Sequence, residues 1–166
     1  MLRTLLNFSC AVLLCVAALG DGASVQRLLT ALPGVLYQQP IASAPGELTL
    51  KADFRGHYVV DARVNGRSIR FLVDTGASHV VLSADDAERL GLRLGERSFT
   101  ELYSTPGGIV RAAPVVLDEV RIGDLVVRDV RASVSRLPMD VSLLGTSFLA
   151  RLRGYEVSRG RMTLRW

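Results

Sequence analysis

Two alternating apolar runs meet at Asn65-Gly66, and the second ends on Asp74-Thr75-Gly76, an arrangement that leaves few folds open. Residues 57–64 and 68–73 alternate apolar with polar side chains, the period of a strand with one buried face. Asparagine and glycine both tolerate the positive φ angles of a tight two-residue turn, so the dipeptide predicts a hairpin. The return strand then runs without a break into Asp74-Thr75-Gly76-Ala77-Ser78. An apolar strand thereby delivers a carboxylate into a turn of small residues. Gly76 lets the backbone bend close to that carboxylate, and Thr75 offers a hydroxyl to brace the loop. Taken alone, Asp-Thr-Gly is equally well an ordinary surface turn.

The same alternation recurs along the chain. Leu48, Leu50 and Ala52 alternate with polar residues, and Val80–Leu82 is a short buried run. Ser83 is placed to cap a helix over 84–90, with Asp85 and Asp86 in its first turn and Gly91 ending it. Further strands are expected at 98–103, 110–117, 120–122, 125–134, 155–157 and 162–166, with a second short helix over 147–152 after Gly145. The expected fold is all-β, mainly strands with two short helices, in a closed or sandwich-like domain. Its beginning is expected at Glu47, which leaves about 120 of the 166 residues for the domain 47–166.

Ahead of it, Arg3 precedes a predominantly apolar run over 5–19 that ends on Ala18-Leu19-Gly20. That is the layout of a secretory signal peptide, and its core is shorter than the roughly 20 residues that span a bilayer comfortably. Residues 1–20 therefore read as a signal peptide or an uncleaved signal anchor, with possible membrane attachment through 5–20. Either would place the remainder outside the cytoplasm, because Arg3 favours the cytoplasmic side. In 21–46, Ser24 caps a short helix with Val25, Leu28, Leu29 and Leu32 on one face, and Pro33 stops it. A linker or pro-segment over 34–46 follows.

Composition narrows the chemistry. Cys10 and Cys15 both fall in the apolar N-terminal run, so the expected domain has no disulfide framework and no thiol nucleophile. His57 and His79 are the only histidines, too few for an ordinary metal centre, and no cofactor is expected. The net charge of +4 comes from arginines dispersed among acidic residues, with Lys51 the single lysine, which argues against a nucleic-acid surface. No phosphate-binding glycine loop is present, and no nucleophile elbow supports a serine triad with either histidine. His79 reads as a partly buried hydrogen-bonder, and Arg55-Gly56-His57 as the turn leading into a strand. Any activity must therefore come from carboxylates, hydroxyls or backbone.

Some seventy residues after the acidic turn comes Leu143-Leu144-Gly145, and between the two lies the glycine-rich tip Ser104-Thr105-Pro106-Gly107-Gly108. With Val73-Asp74-Thr75-Gly76-Ala77-Ser78 and the helix Asp86-Ala87-Glu88-Arg89-Leu90 after it, this set resembles the retropepsin-like aspartic proteases, in particular their bacterial secreted or membrane-anchored branch. The resemblance covers roughly 47–166 and implies a closed β-barrel, half of the bilobed acid-protease architecture. It implies that Asp74 is the catalytic aspartate and that Thr75, Gly76, Ala77 and Ser78 support its loop, Ser78 as a structural hydrogen-bonder. Leu143, Leu144 and Gly145 would pack around that loop, and 104–108 would be a flap over a bound peptide. The location it implies is the periplasm, or the inner membrane facing it.

Acid proteolysis without a metal needs two carboxylates about one water, and two so close share a proton. None of Asp53, Asp61, Asp118, Asp124, Asp129 and Asp140 is followed by Thr/Ser-Gly, so one chain offers half a site. The expected active unit is a homodimer with Asp74 of each subunit at the axis, acting on a peptide or protein substrate. The alternation over 162–166 reads as an edge strand and a candidate dimer element. The alternative function is a non-catalytic retropepsin-like domain for peptide binding or assembly. A generic β-barrel binding module with a fortuitous Asp-Thr-Gly is a third reading.

Overall fold

The computed structural model describes residues 44–105 and 107–166. The apolar N-terminal segment, the helix expected after Ser24, most of the linker and Pro106 lie outside the described residues. In chain order the elements are β1 (Glu47–Lys51), β2 (Val59–Val64), β3 (Arg67–Val73), β4 (Val80–Leu82), α1 (Ala84–Arg89), a 3-10 turn (Glu96–Ser98) and β5 (Glu101–Thr105). There follow β6 (Gly108–Ile122), β7 (Leu125–Ser135), β8 (Ser142–Leu144), α2 (Thr146–Leu149), β9 (Gly154–Ser158) and β10 (Arg161–Arg165).

Six strands close on themselves in the order β2-β3-β8-β4-β7-β6, with β6 returning to β2 through Arg63↔Arg121 and Val64↔Val120. The Asn65-Gly66 turn begins this closure. Asn65 and Gly66 adopt φ of 48° and 82°, so Val60, Ala62 and Val64 point inward with Ile69 and Phe71 opposite. The same Asn65 ties the turn across the seam: its amide donates to Asp118 (3.1 Å), its side-chain oxygen accepts from the Glu119 N–H (3.0 Å), and its own N–H meets the Glu119 carbonyl (3.0 Å). On the outer face Arg70 forks onto Asp61, a half-exposed pair contributing at most about 1 kcal/mol. Inside, Phe71, Leu82, Leu117, Val130, Leu144 and Phe148 are fully buried, each contributing roughly 1.5–3 kcal/mol.

Four expectations differ from the structure. The two strands expected at 110–117 and 120–122 are one, since β6 pairs with β7 in a single register from Ala112↔Ser135 to Ile122↔Leu125. The interruption falls where Asp129, opposite Asp118, takes φ 52°. Pro114 is tolerated within β6 because β5 ends its pairing at Ala112, leaving β7 as the neighbour there. The segment expected as a strand from 98 instead carries the 3-10 turn, and β5 begins at Glu101. The second helix spans Thr146–Leu149, and the three residues before Gly145 form a strand, β8, that was expected only to open the helix.

The fourth concerns the C-terminus. Residues 162–166 were expected at a sheet edge, whereas β10 is the central strand of a separate antiparallel sheet, β1-β10-β9. Met162 and Leu164 pair with Leu50 and Leu48 on one side and with Val157 and Tyr155 on the other. Alternation reports one buried face, and it says nothing of how many neighbours a strand has. The true edges are β1 and β9, and Tyr155 and Val157 of β9 remain 42% and 55% exposed.

Candidate active site

The site begins where β3 and β8 run parallel, with Phe71↔Ser142, Leu72↔Leu143 and Val73↔Leu144 in register. One residue further, the Asp74 N–H still bonds the Leu144 carbonyl (3.1 Å), so the aspartate leaves the barrel from a fixed backbone position. The chain then turns. The Gly76 N–H donates to the Asp74 Oδ1 (2.8 Å), and the Ala77 N–H to the Asp74 carbonyl (3.3 Å). Asp74 is half-buried, and Thr75 and Gly76 are exposed beside it.

Gly145 sets the height of this loop. A Cβ there would lie 2.1 Å from the His79 carbonyl oxygen and 2.7 Å from that of Ala77, so the loop rests directly on the glycine backbone. Thr146 ties the two segments together: its N–H donates to the Ala77 carbonyl (2.8 Å) and its hydroxyl to the Ser78 carbonyl (2.9 Å). Ser78 was expected to brace the loop, and the bond the structure gives it runs through its carbonyl. Ser147 continues the brace, accepting from the Val80 N–H (3.0 Å) and donating to the Arg131 carbonyl (2.7 Å).

The loop opens into a groove of about 420 Å³. Asp74, Gly76, Ala77 and Ser78 line its floor, and Ser104 and Thr105 of β5 line it from the opposite side. Leu143 faces the groove too, whereas Leu144 is fully buried in the core. Gly107 and Gly108 lie at the tip of the β5–β6 hairpin, where the Thr105 hydroxyl donates to the Gly108 carbonyl (2.8 Å) and Gly108 takes φ 110°. Pro106 of the same tip lies outside the described residues. Val110, Ala112, Leu137, Pro138 and Met139 make much of the remaining wall apolar.

Sequence reasoning gave His79 a bonding role and no position in the groove. Its Nε2 bonds the Ser133 hydroxyl (2.7 Å), and its ring lies against Tyr103 of β5 with centroids 4.6 Å apart. The Tyr103 hydroxyl in turn donates to the Glu101 carboxylate. His79 thus links the acidic loop to β7 and to the strand that carries the hairpin tip. Burial holds its imidazole below the ordinary value, Glu101 pulls it upward, and Arg131 adds to the depression. The alternation of β5 and β7 signalled strands, and only the closed barrel brings Tyr103 and Ser133 to one histidine. Among the described residues no three His, Cys, Asp or Glu side chains gather as a metal ion would require.

A closed barrel whose parallel strand pair delivers an aspartate into a glycine turn, beneath a β-hairpin, defines the class of single-lobe aspartic proteases. The family described as "gag-polyprotein putative aspartyl protease" matches residues 60–151. The chain is 36% identical over 73% of its length to an uncharacterised protein of Rickettsia prowazekii, and 38% identical over 84% to one of Sinorhizobium. The match covers 52% and 60% of those two proteins, so the chain spans little more than half the length of the curated relatives it matches. Among solved structures, a retropepsin-like aspartic protease from Rickettsia conorii superposes with a TM-score of 0.67 at 36% identity, covering 73% of this chain and 91% of that one. The protease of EIAV, solved with an inhibitor, shares the fold at a TM-score of 0.53 and 21% identity, over 66% of this chain and all of that one. The chain belongs to the retropepsin-like aspartic protease family.

Proposed function

We propose that the chain is an aspartic endopeptidase whose active unit is a two-fold homodimer. The observation that carries this reading is the placement of Asp74: fixed at the end of β3, half-buried, and open to a groove under a β-hairpin. In the dimer, Asp74 of each subunit flanks one water. One carboxylate takes a proton from the water as its oxygen adds to the scissile carbonyl carbon. The other, protonated, donates a hydrogen bond to the carbonyl oxygen. Collapse of the tetrahedral intermediate expels the amine, which leaves with the proton that the first carboxylate took from the water. Thr75 is exposed beside the aspartate, and in this reading its hydroxyl braces the partner's loop across the axis. The reading includes export, with residues 1–20 directing the domain across a membrane.

Cleavage of a peptide library by the intact chain and by Asp74→Asn tests it. The variant should keep the fold and the dimer, measured by sedimentation, and lose at least about a hundredfold in kcat/KM. A pepstatin-like inhibitor should bind the wild type. Undiminished cleavage by Asp74→Asn would overturn the assignment. A strict monomer that binds peptides without hydrolysing them would favour a binding or assembly domain instead.

A further inference from the structure

The groove beside Asp74 does not end at His79. A second cavity shares Ser78, His79 and Tyr103 with it and continues past the middle of β7 and along α2 to Arg151. The two differ in character. The part next to Asp74 is walled by apolar side chains such as Val110, Met139 and Leu143, whereas the second cavity is lined by Arg131 and Arg151. Both arginines are exposed, and Asp129 is the one carboxylate among the lining residues. Six other arginines, Arg70, Arg89, Arg121, Arg128, Arg136 and Arg165, sit in ion pairs within the chain. Among the described residues, neither Arg131 nor Arg151 is held in such a pair.

Each arginine is well suited to receive a carboxylate. A guanidinium presents planar donors that match its two oxygens, and it stays charged at any pH at which the protein works. The position of Arg131 is fixed by its backbone, whose carbonyl accepts from Ser147. Arg151 is likewise placed by its N–H, which donates to the Phe148 carbonyl (3.0 Å). An extended peptide puts successive side chains on alternate faces at about 3.4 Å per residue, so one that seats an apolar side chain beside Asp74 has others within reach of this cavity.

We propose that the cavity lined by Arg131 and Arg151 is a subsite for an acidic side chain of the peptide, and that these two arginines determine specificity. The peptide then carries an apolar residue near the scissile bond and an aspartate or glutamate further along on one side. This inference rests on the groove being a peptide site, the reading proposed above. It adds the chemical class of what enters it.

The test measures binding and cleavage separately. Dye-labelled peptides with a leucine-rich centre, carrying Glu, Gln or Lys at each flanking position in turn, are titrated into the full-length Asp74→Asn chain by fluorescence anisotropy. Glutamate at one flanking position should tighten binding about tenfold over glutamine, as expected for a charge-assisted pair. In Arg131→Gln/Arg151→Gln on the same background the ratio should fall to about one, and added salt should narrow it in the parent. Both side chains are exposed, and melting curves of the variants verify the fold. No glutamate preference, or one that survives the double substitution, overturns the inference. The intact chain is then assayed for cleavage of the same peptides. Cleavage without acidic preference would leave the protease reading standing and sink the subsite. An arginine-dependent preference without cleavage would do the reverse.

Discussion

A Cβ on Gly145 would stand 2.1 Å from a backbone oxygen of the loop it supports, and neither partner is a flexible side chain that could yield. Gly145→Ala should therefore cost about 3 kcal/mol of stability, read from urea denaturation, and should displace the Asp74 loop so that activity falls further than stability does. His79, whose carbonyl meets Gly145, makes the stability depend on pH. Its imidazole is held below the ordinary 6.5 mainly by burial. In the window below that value the unfolded chain takes up a proton that the folded chain resists. The stabilisation is thus fully present above about pH 6.5 and is lost as pH falls through the lowered folded value. Melting temperature should fall more steeply from about pH 7 to 5 in the wild type than in His79→Gln. Equal slopes would assign the titration elsewhere. The turn after Asp74 was legible at this scale because it follows from local backbone chemistry, whereas the need for glycine at 145 comes from the distant Ala77–His79 backbone it supports. Tyr103 and Ser133 were not legible either, since their approach to His79 depends on pairings between distant strands.

Among the elements, β8 does more than its three residues suggest. It inserts between β3 and β4, parallel to one and antiparallel to the other, and its Ser142 is completely buried. The Ser142 hydroxyl donates to Asp86 Oδ2 (2.6 Å) and accepts from the Ser83 N–H (3.0 Å), while the Ser83 side chain caps α1 at Asp86 (3.2 Å). The strand that carries Leu143 to the groove is thereby fastened to the start of a helix. Ser142→Ala would strand a buried N–H and remove one donor from a buried carboxylate that still keeps Arg89 at 2.9 Å. A loss of about 1.5–3 kcal/mol is expected, visible as a lower denaturation midpoint with an unchanged slope. A run this short carries too little periodicity to announce itself as a strand. The hairpin at Asn65-Gly66, by contrast, was plain because turn chemistry and alternation agreed.

For the whole molecule, the sequence sufficed to read a small β-rich domain with an acidic turn. The closure of the ring came from the family resemblance and not from the alternation of the strands, because a strand's neighbours are set by twist and length rather than by any residue it carries. Nor did the alternation show the placing of β10, which follows from a pairing between residues more than a hundred positions apart. That pairing has a consequence in time. Glu47↔Arg165 joins almost the first and the last described residues, and β9 attaches to β1 only through β10. Leu48 and Leu50 gain their sheet neighbours only when Met162 and Leu164 arrive, the most distant loop closure in the domain. Contacts of such long range slow folding, so the three-stranded sheet is the natural last step, with its apolar strands waiting uncovered until β10 is in hand.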